Sequence, residues 1–270
     1  MKKHLSTIIL ILVFLLGLCI LLYPMVANWW NSKVQSGVIS DYESVLQKME
    51  KEDYSQYFNE AEIFNERLLG MENPLWKTED LVEYQDILRI PSSDIMAYIS
   101  IDRLKVELPI YHGTAPSVLQ VGVGHMEGTS VPVGGLGTHC VLSAHRGLPS
   151  SKLFSDLDDM EKGDLFTITV LDRLLTYEVD QIKIVLPKEL DDLAIEPDKD
   201  LVTLVTCTPY GINTHRLLVR GHRVDNVEVK PQIYVPNEAI TVDPMVVAPI
   251  VAIPLVILLL ILVAVKYRKK

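Results

Sequence analysis

The 270-residue sequence predicts a mainly β globular domain, an antiparallel barrel or sandwich, preceded by helices and flanked by two transmembrane helices. Long uncharged segments near both ends predict the two membrane spans. Between them, apolar residues at helical spacing give way near Ile95 to short apolar runs separated by turn residues, which predicts several strands.

The first predicted element, residues 1–30, is a membrane anchor. Residues 5–26 carry no charge, and as a helix with a rise of 1.5 Å per residue they reach about 33 Å, which matches a hydrocarbon core of about 30 Å. Trp29 and Trp30 follow, as in the aromatic belt of a membrane interface. A cleaved signal peptide is the alternative, but it normally has a shorter apolar region and a small-x-small site, which PMVANWW does not offer.

A second span is predicted at residues 246–270, where an apolar run ends in the basic tail KYRKK. Residues 229–245 contain several prolines and predict an extended linker into it. Lys2 and Lys3 precede the first span, and Lys and Arg accumulate on the cytoplasmic side of membranes. We therefore expect a two-span protein of the cell membrane, with both termini inside and the domain outside.

The segment of residues 31–94 is predicted to be helical. Apolar residues recur there at steps of three or four, which is typical of amphipathic helices: Val34, Val38, Tyr42, Val45 and Met49, then Phe58, Ala61, Phe64 and Leu68. Gly70 is a stop signal. Asn73-Pro74 opens a loop, and a further short helical stretch is expected towards Arg89.

The predicted strands lie in residues 95–228. The runs that read as strands are AYISI, VELPIY, THCVLSA, LFTITV, LLTYEVDQI, LVTLVT and HRLLVRGHRV. The formal net charge of −10 includes the basic ends, so the exported part is more acidic still. This composition argues against a nucleic-acid partner, because phosphates need a basic surface.

Cys207 is the candidate nucleophile. The strand LVTLVT ends at it, and after the loop TPYGINT a second strand begins near Arg216. If the two strands form a hairpin, the thiol and the guanidinium face each other, and a fixed positive charge favours the reactive thiolate. His145 follows the strand THCVLSA and is the candidate for proton transfer, because catalytic groups are often displayed where strands end.

Each of these residues also has a plainer interpretation. Cys207 can be a small core residue, and an exported domain with Cys140 and Cys207 can hold a disulfide. A zinc site is a further alternative, but the spacing of its candidate ligands follows no compact pattern, and no metal or cofactor is predicted. Those candidates are His125, His139, His145 and His215.

Longer stretches of the sequence also resemble those of a known protein family. The string TLVTCTPYGINTHRLLVRG at residues 203–221 resembles the signature of sortases, and LPIYHGT, VGVGHMEGTSVPVGG and LSAHRGLPSSKLFSDLD resemble the pilin-polymerising class C branch. The resemblance implies a sortase-like closed β-barrel of about eight strands. It also implies that Cys207 is the nucleophile, His145 the acid/base and Arg216 the group that steadies substrate and oxyanion.

The implied reaction is transpeptidation on pilins or surface proteins that carry LPXTG-like sorting signals. The enzyme would cleave between Thr and Gly and join the acyl group to a pilin lysine, building covalent pili. Two alternatives stay open: a sortase that anchors surface proteins to the cell wall through a peptidoglycan-precursor amine, and a non-catalytic module with a disulfide.

Class C enzymes often carry a lid with an Asp-Pro-aromatic triplet, whose acid faces the catalytic Arg and whose ring lies near the Cys. The nearest match here is Asn73, Pro74, Leu75 and Trp76, in which Asn lacks the charge and the ring is displaced by one residue. A lid is one interpretation, and the other is an ordinary loop between helices with a buried Trp.

Overall fold

A closed β-barrel forms the body of the domain. The computed structural model describes residues 2–226, so the predicted linker at 229–245 and the second span at 246–270 lie outside the described residues. Eight strands within residues 2–226 close the barrel in the order β1-β2-β3-β4-β7-β8-β6-β5. Their bounds are β1 Ile95–Ile101, β2 Val106–His112, β3 Val123–His125, β4 Thr138–Ser143, β5 Leu165–Val170, β6 Arg173–Val185, β7 Asp200–Thr208 and β8 His215–Val224. The closed barrel of about eight strands is confirmed.

The expectation of purely antiparallel pairing is wrong at two places. β2 pairs with β3 in parallel, and so do β4 and β7. Parallel neighbours need a crossover connection, and here the chain between β2 and β3 contains the short helix α3, Pro116–Leu119. The chain between β4 and β7 contains β5 and β6. Apolar spacing within one strand carries no information about the direction of its neighbour.

Two apolar clusters cover the two faces of the barrel wall. The large interior cluster takes alternate residues of the strands, including Leu142 of β4, Leu204 of β7 and Val219 of β8. A smaller cluster lies on the outer face of β4, β7 and β8, and we call it the outer cluster: Val141, Leu193, Val205 and Leu218. Because both faces of β7 are covered, its residues from Asp200 to Thr206 are all buried, which explains why LVTLVT has no polar alternation.

Two long helices precede the barrel, α1 at Lys2–Leu46 and α2 at Lys51–Leu69. The part Ile11–Leu46 of α1 is long and apolar enough to cross a membrane, by length and composition. The predicted apolar face of α2 is confirmed, since Phe58, Ala61, Phe64 and Leu68 are buried. Helix α2 ends one residue before Gly70, as predicted.

The second half of α1 is docked on the barrel. Ile39, Tyr42 and Leu46 are buried, and the Tyr42 hydroxyl donates to Met96 O (3.2 Å) and accepts from Leu171 N (2.8 Å). Val34, predicted to belong to the same face, is instead exposed, because Gln35 takes the buried position in that turn. The buried apolar face of helix α1 therefore lies downstream of this turn.

The connection from α2 to β1 differs from the predicted single helical stretch. It consists of three short 3-10 helices, Pro74–Trp76, Thr78–Asp80 and Val82–Asp86. Isolated apolar anchors hold it, chiefly Tyr84, which is completely buried and contacts His125. Such anchors fix a loop without the continuous apolar face that a longer helix needs.

Candidate active site

Cys207 and Arg216 lie opposite each other at one end of the barrel. Strands β7 and β8 pair antiparallel, and Cys207 is the direct cross-strand partner of Arg216 in a continuous register from Leu201 to Thr208. The predicted hairpin is confirmed. Opposite residues in such a ladder have Cβ atoms about 4.5–5.5 Å apart, so the two side chains begin within contact distance.

His145 approaches Cys207 from the other side of β7. The parallel register of β4 and β7 ends with Ser143 opposite Val205. Contact continues for one further residue, because Ala144 N donates to Val205 O (3.1 Å) and the Thr206 hydroxyl donates to Ala144 O (2.8 Å). If the same offset continued for one more residue, His145 would lie beside Cys207. The three predicted residues thus leave three neighbouring strands at the same end.

The period of two along a strand defines the face on which this site lies. Val205 and Leu218 belong to the outer cluster, and they stand two residues from Cys207 and Arg216 respectively. Cys207 and Arg216 therefore continue the outer face, where both are partly exposed. The site opens at the outer surface of the barrel, next to the apolar surface of the outer cluster, which we call the floor.

Arg216 is held by backbone carbonyls of its own turn. Its Nη1 donates to His215 O (3.0 Å) and Asn213 O (3.3 Å). Arg220, four residues further along β8 on the same face, is instead paired with Asp180 (2.9 Å) and Glu196 (3.4 Å). Among the side chains that the structure describes, those of residues 11–50 and 54–226, no carboxylate forms an ion pair with Arg216, so its charge stays available to an anion. A guanidinium cannot act as a base, which limits it to positioning and charge stabilisation.

The two cysteines of the barrel are both free thiols, so the disulfide alternative is wrong. Cys140 pairs with Val202, five residues before Cys207 on the same strand, which is a separation of about 16 Å along β7. A disulfide needs Cα atoms within about 7 Å. Cys140 also belongs to the interior cluster, and burial raises its thiol pKa well above the ordinary value.

The other histidines considered for a zinc site have structural partners. His125 contacts the Tyr84 hydroxyl and Ser130 O, both at 2.9 Å, and burial lowers its pKa to about 4. His139 contacts Ala194 O and the Thr203 hydroxyl, both at 2.8 Å, and burial lowers its pKa too. His215 contacts Thr214. No group of three or more metal-ligating side chains is found where side chains are described, in residues 11–50 and 54–226.

Arg146 links the loop after His145 to the loop after Cys207, a link that sequence reasoning missed. Its guanidinium pairs with Asp158 (2.5 Å) and lies 5.7 Å from the centroid of the Tyr210 ring. Gly147 also faces this ring, since its φ is +77° and a Cβ there would stand 2.9 Å from it. The sequence signal was the adjacency of Arg146 to the candidate His, but spacing did not reveal its partners.

Residues 73–76, which we call the lid segment, lie against the outer cluster through Leu75. Gly128 lies beneath the backbone of this segment, since a Cβ at Gly128 would stand 2.7 Å from Pro74 O. Trp76 is 67% exposed, so the alternative of a loop with a buried Trp is wrong. Sequence reasoning considered the Trp76 ring, and it missed Leu75 as the residue that reaches the barrel.

A cavity of about 240 Å³ separates the lid segment from the loop before β7. Leu190 and Leu193 of that loop line it, together with the end of α2. Leu193 belongs to the outer cluster and Leu190 packs against it. The floor next to Cys207 is therefore walled by the β6–β7 loop on one side and covered by Leu75.

Comparisons with known proteins agree with this arrangement. The family model of the sortase domain matches residues 99–224. Sortase C1 of Streptococcus agalactiae has 47% sequence identity and a TM-score of 0.65, with 70% of this chain and 98% of that chain covered. Sortase C of Streptococcus pneumoniae, whose structure bears on catalysis and pilin substrate specificity, has 42% identity and a TM-score of 0.63, covering 70% and 96%.

Sortase D of Bacillus subtilis is 30% identical over 129 residues, which are 47% of this chain and 62% of that protein. The aligned region thus spans less than two thirds of this relative. The match to sortase C1, by contrast, covers nearly the whole of that chain. On these similarities, the chain belongs to the sortase family of cysteine transpeptidases, and its structural relatives are class C sortases.

Proposed function

We propose that this chain is a membrane-anchored transpeptidase that cleaves an LPXTG-like sorting signal between Thr and Gly and joins the acyl group to a pilin lysine. One observation carries the proposal: Cys207 faces Arg216 across β7 and β8, and His145 follows the end of β4, which pairs in parallel with β7 as far as Ser143 and Val205. The candidate anchor in α1 and a second span at residues 246–270 would hold this site outside the membrane.

In the first half-reaction, the Cys207 thiolate attacks the Thr carbonyl carbon and a C–S bond forms. Arg216 stabilises the negative oxygen of the tetrahedral intermediate, a kind of interaction worth about 10²–10³ in rate per donor. His145 gives a proton to the leaving Gly nitrogen as the C–N bond breaks, leaving a thioacyl-enzyme.

In the second half-reaction, a lysine amine of the next pilin subunit attacks the thioacyl carbon. His145 takes the proton from that amine, the C–S bond breaks, and the Cys207 thiolate is regenerated. Repetition with pilins that carry both a sorting signal and an acceptor lysine builds a covalent polymer.

The outer cluster supports a peptide substrate of this composition. Val205 and Leu218 form an apolar floor one strand period, about 7 Å, from the Cys207–Arg216 pair, and Val141 extends this floor on β4. Apolar Leu and Pro side chains that precede the scissile bond would cover such a floor and exclude water from the thiol. The charge on Arg216 would lie over the reacting carbonyl.

We also propose that the lid segment covers this floor through Leu75. Asn73 carries no charge to pair with Arg216, and the exposed Trp76 ring is free to solvent over most of its surface. The apolar contact of Leu75 with the outer cluster is the interaction that supports a lid in this chain. A substrate peptide would displace Leu75 from the floor.

The direct test is turnover of a sorting-signal protein by the full chain and by three variants, Cys207→Ala, His145→Ala and Arg216→Ala. Each variant is expected to lose thioacyl formation or turnover while the fold persists. Cys140→Ala is the matched control, because it removes the buried thiol of the same domain and should leave turnover unchanged. Normal turnover of any of the three variants would remove that residue from the site.

The acceptor is tested by offering a pilin and a peptidoglycan-precursor amine in parallel reactions. The similarity to sortase C of Streptococcus pneumoniae favours the pilin. A ladder of pilin oligomers is expected, and products of the wall precursor alone would favour the wall-anchoring alternative.

A further inference from the structure

Helix α1 carries three amide side chains at steps of three and four residues, Asn28, Asn31 and Gln35, so they share one face. We call residues 145–155, which begin at the catalytic candidate His145, the His loop. Asn28 Oδ1 accepts from Lys152 N (2.7 Å), and Asn31 Nδ2 donates to Ser150 O (2.8 Å). Both bonds reach the backbone of the His loop from more than a hundred residues away in sequence.

Gln35 extends this contact one turn further. It is buried, and its Nε2 donates to Val121 O (2.9 Å) and the Ser151 hydroxyl (3.3 Å). The middle of the His loop, residues 150–152, is thus bound to α1 at three successive positions. Backbone groups of an irregular loop need such external partners because no ladder supplies them.

The His loop is closed on His145 itself. Phe154 N donates to His145 O (3.2 Å), and Gly147 N donates to the Ser155 hydroxyl (3.0 Å). Leu153 is buried with φ +42°, a left-handed conformation that is costly for leucine. The bond from Phe154 therefore ties the far end of the loop to the backbone of His145.

We propose that Asn28 and Asn31 are positioning residues for His145. The proposal rests on the proposed function, because it gives His145 the role of acid and base. The two amides set where residues 150–152 lie, and through the closing bond they orient the imidazole towards Cys207. The same helix contains the candidate span, so the element that anchors the chain also orients its proton-transfer group.

These two amides are not needed to attach α1 to the domain. Ile39, Tyr42 and Leu46 are buried against the barrel further along the helix, and the Tyr42 hydroxyl binds backbone on two sides. Removing Asn28 or Asn31 therefore leaves the helix docked and the domain folded, while it frees the His loop.

The direction of each hydrogen bond gives a sharp test. Asn28→Asp keeps the acceptor for Lys152 N, whereas Asn28→Leu removes it. Asn31→Asp removes the donor and places a carboxylate against the Ser150 carbonyl oxygen. Ser36→Ala is the matched control, because Ser36 is exposed on the same helix and donates only to Ser32 O within it among its described bonds.

The full chain in lipid nanodiscs is assayed with a sorting-signal peptide and a free amine. Asn28→Leu and Asn31→Asp are expected to lower kcat by roughly tenfold, since small displacements of a catalytic group are costly, with KM and Tm unchanged. Asn28→Asp and Ser36→Ala are expected to stay within about twofold of the parent. If Asn31→Asp has the same kcat as the parent, the inference is wrong. It is also wrong if kcat and Tm fall together in the variants and Asn28→Asp shows the same fall.

Hydrogen exchange separates this inference from the proposed function, because it needs no turnover. Asn31→Asp is expected to speed amide exchange in residues 146–154 and to leave β4 and β7 unchanged. Unchanged exchange in the His loop overturns the inference even if the parent is active. An inactive parent with faster loop exchange in the variant contradicts the proposed function alone.

Discussion

Thr206 is the residue through which the nucleophile strand holds the strand that leads to His145. It is buried, and its hydroxyl donates to Ala144 O at 2.8 Å, one residue before Cys207 and one before His145. A net contribution of about 1 kcal/mol is typical of such a bond, and an unsatisfied buried carbonyl costs more. The bond therefore matters both for stability and for the relative position of two catalytic candidates.

Replacement of Thr206 by valine keeps the shape and removes the hydroxyl. We expect Thr206→Val to lower the free energy of unfolding by about 1–2 kcal/mol and to lower kcat, because Ala144 O loses its partner. Urea unfolding and peptide turnover measure the two effects. Thr206→Ser keeps the donor and is the control, so a loss of kcat as large in the serine variant as in the valine variant would contradict this explanation.

His125 makes the domain sensitive to acid. It is completely buried between Tyr84 and Ser130, and burial lowers its pKa to about 4. An unfolded chain binds the proton near pH 6.5, so the folded state loses stability as the pH falls from about 6.5 to about 4 and gains none back below.

From His125 alone we expect the free energy of unfolding to fall by about 3 kcal/mol between pH 7 and pH 4. Burial lowers the pKa of His139 and His112 too, which adds to the loss. Burial raises the pKa of Asp200, so this carboxyl group binds a proton more readily in the folded state. Its protonation therefore adds to the free energy of unfolding at the acid end of this range. Urea unfolding at several pH values checks the prediction, and a free energy that is constant from pH 7 to pH 5 would refute it.

At the residue scale, motifs and strand ends predicted the residues of the candidate site. Cys207 and Arg216 were placed opposite each other because one short loop joins two apolar runs, and the register confirms that placement. Leu75 could not be chosen over Trp76, because both are large apolar residues in one short segment. The surface beneath them decides which of the two packs against the barrel and is partly buried.

At the scale of elements, the proposed closure of the lid segment over the floor rests on an apolar contact instead of an ion pair. Leu75 packs against the outer cluster, whereas the neighbouring Trp76 is mostly exposed. An apolar side chain that leaves such a floor gives up roughly 1 kcal/mol, which corresponds to about fivefold in an equilibrium.

We therefore expect Leu75→Ala to lower the KM for a sorting-signal peptide by about fivefold and to speed alkylation of Cys207 by bulky thiol reagents. Trp76→Ala is the control, with an expected change below twofold, because its ring is 67% exposed. Equal effects of the two substitutions, or none from Leu75→Ala, would remove the lid role from Leu75.

The spacing of apolar residues did not predict which neighbouring strands run parallel. Parallel pairing of β4 with β7 joins segments about 60 residues apart, since Thr138 lies opposite Asp200. Long-range pairing of this kind depends on the whole barrel closing. The resemblance to sortases predicted a closed barrel, whereas the apolar runs alone were equally compatible with a β-sandwich.

At the scale of the whole molecule, α1 has two functional halves. Its upstream part contains the uncharged residues 5–26 that the sequence predicts to span the membrane, and its downstream part buries Ile39, Tyr42 and Leu46 on the barrel. Burial of one large apolar side chain contributes about 1.5–3 kcal/mol, so this docked half supplies an amount comparable with the total stability of a domain.

Truncations are expected to separate the halves. A chain lacking residues 1–27 should keep the Tm of the parent barrel, whereas a chain lacking residues 1–46 should lose ten degrees or more, at roughly 2–4 °C per kcal/mol. Thermal unfolding followed by circular dichroism measures both. Identical Tm values for the two truncations would show that α1 is only an anchor.

The central claim is that Cys207 is acylated by a sorting signal with the help of His145 and Arg216. The most direct measurement is peptide mass mapping of the full chain after brief incubation with an LPXTG peptide, with the acyl adduct located by sequence. The account predicts an adduct on Cys207 that hydroxylamine releases, and none in Cys207→Ala. An adduct on Cys140 instead, or no adduct while the peptide is consumed, would contradict it.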